Sequence, residues 1–197
     1  NRGSISSGGT GISSSGATNT ISNDGSLVAT GMGISFTNAS GLHQIENTGL
    51  IHSLTGTAIS LAGNTNNVSN DGIVLADGSA ISLSGGSGNF VSNEGRIRGG
   101  LNGIVLSGGG TGNVVQNFGK ITAHDDGIVS DSVAGFTTNS GTITAGRDGI
   151  ILTGAGTLRV QNTGQITALQ DGIDASSSIA QIRSTGTISA KENGISA

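Results

Sequence analysis

The chain has no cysteine, proline, tryptophan or tyrosine, and only four phenylalanines and one methionine in 197 residues. The lack of cysteine excludes a disulfide-stapled scaffold and any thiolate zinc or redox site. The lack of proline, with no glycine at every third position, excludes a collagen-like triple helix. Eight Lys and Arg residues against twelve Asp and Glu residues give a net charge of −4, which disfavours a nucleic-acid-binding surface.

Charges and long apolar runs are also scarce. Charged residues make up 10 % of the chain, and no apolar run approaches the ~20 residues of a membrane-spanning helix. The first residues lack the charged-then-apolar pattern of a secretory signal peptide. The 37 glycines, counted with the other apolar residues, restore an ordinary apolar share. Because Ile and Val also recur at regular intervals, we expect a folded chain rather than a disordered one.

A repeat of about 23 residues fills the chain. Its motif is Asn-x-Gly-x-(Ile/Leu/Val), with serine replacing asparagine in the ninth and last copy. The motif glycines lie 22, 24, 23, 23, 24, 22, 23 and 22 residues apart. A fixed period of this length is typical of solenoids, in which each repeat buries its apolar face against its neighbours. The motif glycines are Gly3, Gly25, Gly49, Gly72, Gly95, Gly119, Gly141, Gly164 and Gly186.

Two further patterns recur in each repeat. A (Gly/Ala)-Ile dipeptide follows the motif glycine by eight residues, or nine in one copy, and an Ile or Val precedes most motif asparagines by two. Thr137 interrupts the second pattern, with Phe136 beside it. Each repeat therefore holds three short segments with period-two alternation, which is typical of β-strands. We predict an all-β, parallel β-helix of about nine coils with three strands per coil, and one such domain over residues 1–197.

The motif residues have specific expected roles at the coil corners. The asparagines should point inward and stack, with carboxamides hydrogen-bonding along the axis. Each motif glycine should supply either a positive φ or a close approach of two backbones. Apolar residues after the glycine should form one interior column, and the alanines two positions further on should mark the narrow part of the coil. These alanines are Ala29, Ala76, Ala123, Ala145, Ala168 and Ala190.

The repeats, most clearly from Asn139 to Ala175, read Asn-x-Gly-x-Ile-x-Ala followed by Asp-Gly-Ile-x-Leu. This pattern resembles the right-handed β-helix passenger domains of bacterial autotransporters and related large secreted adhesins. The resemblance implies a right-handed coil, an extracellular or bacterial cell-surface location with a part in virulence, and a structural or adhesive role as a stalk or fibre segment. It implies no catalytic residue, no metal and no cofactor. The last repeat stops after two of its three segments, so we expect either a segment of a longer solenoid or copies that stack end to end.

The expected partners follow from the same interpretation. They are flanking coils of the same protein, further copies of the chain, and glycans or proteins of a host or neighbouring cell, with no nucleic acid and no membrane insertion. Binding would use outward strand residues and the variable connection after the second segment. The alternative function is a carbohydrate-active β-helix enzyme, such as a polysaccharide lyase or hydrolase, which needs clustered carboxylates. Its only dense acidic candidate is His124, Asp125, Asp126 and Asp131.

Other candidate groups have simpler expected roles. Asp126, Asp148 and Asp171 should lie in one line across successive coils, as a cation strip or, with more weight, as Asp-Gly turns. The same column holds Asn102 and Asn193.

The three histidines and two polar patterns are weaker candidates for functional sites. His43, His52 and His124 have no zinc-site spacing, and we expect them to be scattered on the surface. Thr142-Ile143-Thr144 is too isolated for an ice-binding array. Asn38 and Asn67 begin glycosylation tripeptides that arise often by chance.

Overall fold

A computed structural model describes residues 1–176 and 179–197, and every regular element in them is a β-strand. In chain order, the strands are β1 (Ser4–Ser7), β2 (Ile12–Ser14), β3 (Thr18–Asn23), β4 (Ser26–Ala29), β5 (Ile34–Phe36), β6 (Leu42–Asn47), β7 (Leu50–Ser53), β8 (Ile59–Ala62), β9 (Asn67–Asn70), β10 (Ile73–Ala76), β11 (Ile81–Ser84), β12 (Phe90–Asn93), β13 (Arg96–Gly99), β14 (Ile104–Ser107), β15 (Thr111–Asn117), β16 (Lys120–Ala123), β17 (Ile128–Ser130), β18 (Ala134–Asn139), β19 (Thr142–Ala145), β20 (Ile150–Leu152), β21 (Thr157–Asn162), β22 (Gln165–Ala168), β23 (Ile173–Ala175), β24 (Ile179–Ser184), β25 (Thr187–Ala190) and β26 (Ile195–Ser196).

The strands form three parallel sheets, and each complete coil contributes one strand to each sheet. Sheet 1 runs from β1 to β25 and sheet 2 from β2 to β26, each with nine strands, and sheet 3 runs from β3 to β24 with eight strands. The predicted parallel β-helix with three strands per coil is thereby confirmed. The coil count differs slightly from the prediction of about nine, because eight coils are complete and a ninth contributes two strands.

Equivalent residues of successive repeats pair in register, so the interior consists of columns of like side chains. In sheet 1, Ile121 pairs with Ile143, which pairs with Ile166. All three are fully buried, as are the isoleucines of the second segment, such as Ile104 and Ile128. The predicted alanine column also faces inward, and its members outside the last coil are at most 7 % exposed. Stacking of this kind gives each coil a buried apolar face that it could not form alone.

The motif asparagines form the predicted interior ladder. From Asn23 to Asn162 they are at most 1 % exposed, and each Nδ2 donates to the Oδ1 of the asparagine in the next coil at 2.7–2.8 Å. In the last of these coils, Asn162 donates instead to the Ser184 hydroxyl at 3.1 Å. Every amide in this asparagine ladder donates in the same direction along the coil axis. The members between its two ends are Asn47, Asn70, Asn93, Asn117 and Asn139.

The motif glycines act by close approach, not by positive φ. A Cβ added to Gly119 would lie 2.1 Å from the carbonyl oxygen of Gly95 in the preceding coil, and the same holds from Gly25 to Gly186 at 2.0–2.2 Å. None of the glycines with positive φ is a motif glycine. Those glycines lie at Gly63, Gly85, Gly86, Gly88, Gly108, Gly109 and Gly112. The first six lie in the variable connection from sheet 2 to sheet 3 and Gly112 lies at the start of β15, where the left-handed conformation favours glycine.

Candidate functional site

The acidic group considered for catalysis does not converge. The His124 Nδ1 lies 3.0 Å from Asp125 Oδ1 on the exterior, whereas Asp126 is buried at 6 % exposure. Asp131 lies beyond β17, and its carboxylate accepts the backbone N–H groups of Gly108 and Gly109 in the preceding coil at 3.1 and 3.2 Å. The structure therefore separates these residues into an exterior pair, an interior side chain and a loop anchor.

The predicted aspartate line is present, but it is a hydrogen-bond ladder at the corner between sheets 1 and 2. Asp126 Oδ1 accepts the backbone N–H of Asp148 at 3.2 Å, and Asp148 Oδ1 accepts that of Asp171 at 2.7 Å. Asn102 and Asn193 extend this aspartate ladder at its two ends. The carboxylates are thus occupied by backbone donors. Within residues 1–176 and 179–197, no group of three or more His, Asp or Glu side chains is placed to hold a metal ion.

Burial perturbs two carboxyl groups near this ladder. Desolvation raises the pKa of Asp126, although the backbone N–H of Asp148 and the Arg147 guanidinium act in the opposite direction. Desolvation also raises the pKa of Asp174 in sheet 2, and the charges of Asp148 and Asp171 add to that rise. Carboxylates of three successive coils therefore lie along this corner, with Asp174 beside them on sheet 2.

His43 corrects the expectation that the histidines lie on the surface. It is 1 % exposed and faces the interior from β6, with its ring centroid 5.0 Å from that of Phe36. Asn19 Nδ2 lies 3.1 Å from His43 Nδ1, while the buried Nε2 has no hydrogen-bond partner among the described residues. Desolvation lowers the pKa of His43. By contrast, His52 is partly exposed and the side chain of His124 is 80 % exposed, in line with the expectation.

The position of His43 reveals a second interior column that the sequence analysis missed. Asn19, Asn66, Asn89 and Asn113 occupy the equivalent place in other coils, two residues before the interior Ile or Val. The backbone N–H of Asn66 donates to Asn89 Oδ1 at 3.0 Å, and that of Asn89 donates to Asn113 Oδ1 at 2.9 Å. The signal was present as Asn-x-(Ile/Val)-x-Asn, a period-two pattern in which all three residues face inward.

The remaining polar candidates lie on the exterior or at its edge. Thr142 and Thr144 face outward from sheet 1, but Gln165 pairs with Thr142, so the threonine array is interrupted as expected. Asn38 lies in a turn and Asn67 is exposed on β9.

The outward face of sheet 3 carries the most distinctive group of side chains. One column runs Phe136, Arg159, Gln181 over three successive strands, and the adjacent column runs Thr138, Gln161, Arg183. We call these six residues the sheet 3 patch. A shallow hollow of about 420 Å³ lies where Phe136 and Arg159 meet Val114 of β15 and Ala134 of β18. In the sequence, Phe136 is distinctive only as the neighbour of Thr137, and no repeated pattern marks the two arginines.

The polar groups of the sheet 3 patch are free to bind. Among the described residues, Arg159 and Arg183 form no ion pair, and none of the patch side chains forms a hydrogen bond. The only acidic residue in the eight strands of sheet 3 is Glu46, five strands before β21. At about 4.8 Å per strand, this places it roughly 24 Å from Arg159. The patch is therefore cationic on a chain whose net charge is −4.

Comparison with protein-family models, with curated proteins and with solved structures finds no match to this chain. The likeness to autotransporter passenger domains therefore rests on the repeat pattern alone. Within the described residues, the chain forms no helix that is long and apolar enough to cross a membrane.

Proposed function

We propose that this chain is an extracellular structural and adhesive segment, a length of β-helical stalk or fibre on a bacterial cell surface, and that it acts without catalysis. The observation that carries the proposal is the difference between the inward-facing and outward-facing residues of each strand. Interior columns repeat from coil to coil, whereas the residues that point outward vary. This is what a binding or spacing scaffold requires, since stability comes from the interior and specificity from the exterior.

The geometry of the exterior supports the same role. Eight stacked coils at about 4.8 Å give a rod of roughly 40 Å, and flanking coils or further copies would extend it by the same pairing. Its outer surface consists of three long ladders of side chains that remain solvent-accessible along the whole rod. The proposed partners are flanking coils, further copies of the chain, and surface glycans or proteins of another cell.

The proposal is tested by locating the chain on cells of the organism that produces it. Antibodies raised against residues 1–197 should label intact cells, and brief protease treatment of intact cells should remove the label. A control antibody against a cytoplasmic protein should label only permeabilised cells. Labelling of the chain only after permeabilisation would refute the surface location, and with it the adhesive role.

A further inference from the structure

We propose that the sheet 3 patch binds a linear acidic polysaccharide, one whose sugars carry carboxylates. This rests on the proposed function, because it names the ligand class for an adhesive surface. The two guanidinium groups would bind the carboxylates, the amides and the hydroxyl would bind sugar hydroxyls, and the ring of Phe136 would pack against a sugar ring face.

The guanidinium groups are placed for a chain with repeated charges. Arg159 pairs in register with Gln181, and Gln161 pairs with Arg183, so the two arginines lie diagonally across adjacent strands. Residues so related are about 7–8 Å apart at the backbone in an antiparallel sheet, and a similar distance applies here because the strand spacing is alike. Both side chains are exposed and lack a carboxylate partner in the described part of the chain. Arginine presents a planar fork that recognises a carboxylate through two hydrogen bonds.

The surroundings of the arginines favour a sugar over a peptide. β18 and β21 are each paired on both sides, so neither can accept an added peptide strand. Two shallow hollows of about 420 and 240 Å³ lie at the patch, and Phe136 is the single aromatic ring lining either of them, where a protein partner would need several buried anchors. Neutral polar groups flank the charges, and such groups suit the hydroxyl-rich surface of a polysaccharide.

Electrostatics favour this face for an anionic ligand. The aspartate ladder lies at the corner between sheets 1 and 2, which is the corner that sheet 3 does not form. That corner carries carboxylates together with Arg147, whereas the sheet 3 patch carries two arginines and no carboxylate, so an anionic polymer is favoured at the patch. Sheet 1 also carries cations at Arg96, Arg98 and Lys120. However, the acidic residue Glu94 lies two positions before Arg96, and the exposed side chain of Ile73 pairs with Arg96 from the preceding coil.

The test measures binding of the purified chain to polygalacturonate and to hyaluronan by calorimetry, with fully methyl-esterified polygalacturonate as the uncharged control. The double variant R159Q/R183Q should weaken binding by about tenfold or more, since it removes two charge-assisted contacts. F136Q should weaken binding by about threefold. Glutamine already occupies equivalent outward positions in this sheet at Gln161 and Gln181, so both variants should fold.

The matched control is R96Q/R98Q, which removes the same charge from sheet 1 and should change binding by less than about twofold. Equal weakening by the two double variants would overturn the proposal, because it would show non-specific attraction to positive charge. So would equal binding of the esterified polymer, or failure of both acidic polymers to bind. Tighter binding of polyglutamate than of either polysaccharide would assign the patch to an acidic peptide instead. None of these results depends on the cellular location, which the antibody experiment tests separately.

Discussion

Replacing Asn117 by alanine tests whether the asparagine ladder holds the coils together. Asn117 is fully buried in the middle of the stack, where it accepts from Asn93 Nδ2 and donates to Asn139 Oδ1, both at 2.7 Å. The substitution leaves a donor above and an acceptor below without their ladder partner. An unsatisfied buried polar group costs about 1–3 kcal/mol.

The expected loss is about 2–4 kcal/mol of unfolding free energy. The free-energy cost of the lost Asn93 hydrogen bond lies at the low end of the range of about 1–3 kcal/mol, because Asn93 Nδ2 still donates a long hydrogen bond to the Gly95 carbonyl oxygen at 3.4 Å. The Asn139 side has no such substitute donor for its Oδ1 within the described structure, so it bears most of the cost. Urea unfolding followed by far-ultraviolet circular dichroism measures the difference, since the chain has no tryptophan or tyrosine for fluorescence.

The matched control is the adjacent residue on the same strand. Gln116 faces outward and forms no hydrogen bond with another described residue, so Gln116→Ala should change the unfolding free energy by less than about 0.5 kcal/mol. If Asn117→Ala and Gln116→Ala unfold at the same urea concentration, the ladder hydrogen bonds contribute no more to the unfolding free energy than an outward-facing side chain does. The role assigned to the asparagine column would then be wrong.

Three further predictions concern pH and backbone contact. Asp126→Asn should stabilise the chain more at pH 7 than at pH 4.5. The raised pKa of Asp126 means that ionising this carboxyl at higher pH destabilises the native state, and thermal melting of both proteins at both pH values measures the difference. Because the pKa of His43 is lowered, the native state binds fewer protons than the unfolded state as the pH falls below 6.5, and the stability of the chain should decrease on acidification. His43→Asn should remove the share of this decrease that is due to the histidine, as the same melting experiments would show. Gly119→Ala should cost at least about 2 kcal/mol in urea unfolding, because its Cβ would overlap the Gly95 carbonyl, whereas Gly9→Ala, with nothing within 4 Å, should be neutral or stabilising.

Each of these predictions has a specific contrary result. A stability gain from Asp126→Asn that is as large at pH 4.5 as at pH 7 would mean that charge burial is not its cause. If the wild type and His43→Asn lose stability equally on acidification, other groups account for the acid sensitivity. Equal effects of Gly119→Ala and Gly9→Ala would remove the steric argument for the motif glycines.

The sequence predicts the coil and its interior because both depend on a period. A residue that recurs every 22–24 positions occupies the same place in each coil, so Asn93 and Ile121 could be assigned to interior columns without coordinates. Period alone fails where one repeat departs from the others. His43 lies in a column that holds asparagine in four other coils, and it is buried because the column, rather than the residue type, fixes its direction. The sheet 3 patch could not be predicted for a related reason. Phe136 and Arg159 lie in an outward column in which no residue type recurs at the repeat period, and only the strand register shows that they are neighbours.

The common direction of the asparagine ladder has a consequence for how the rod can change in length. Each coil presents one acceptor to the coil before it and one donor to the coil after it, and the interior columns match in the same way. Removing or duplicating one coil therefore restores the asparagine hydrogen bonds and the stacking of the interior columns at the new junction. The length of the rod can thus vary by copy number without any new interface, while the outward residues of each added coil are free to diverge.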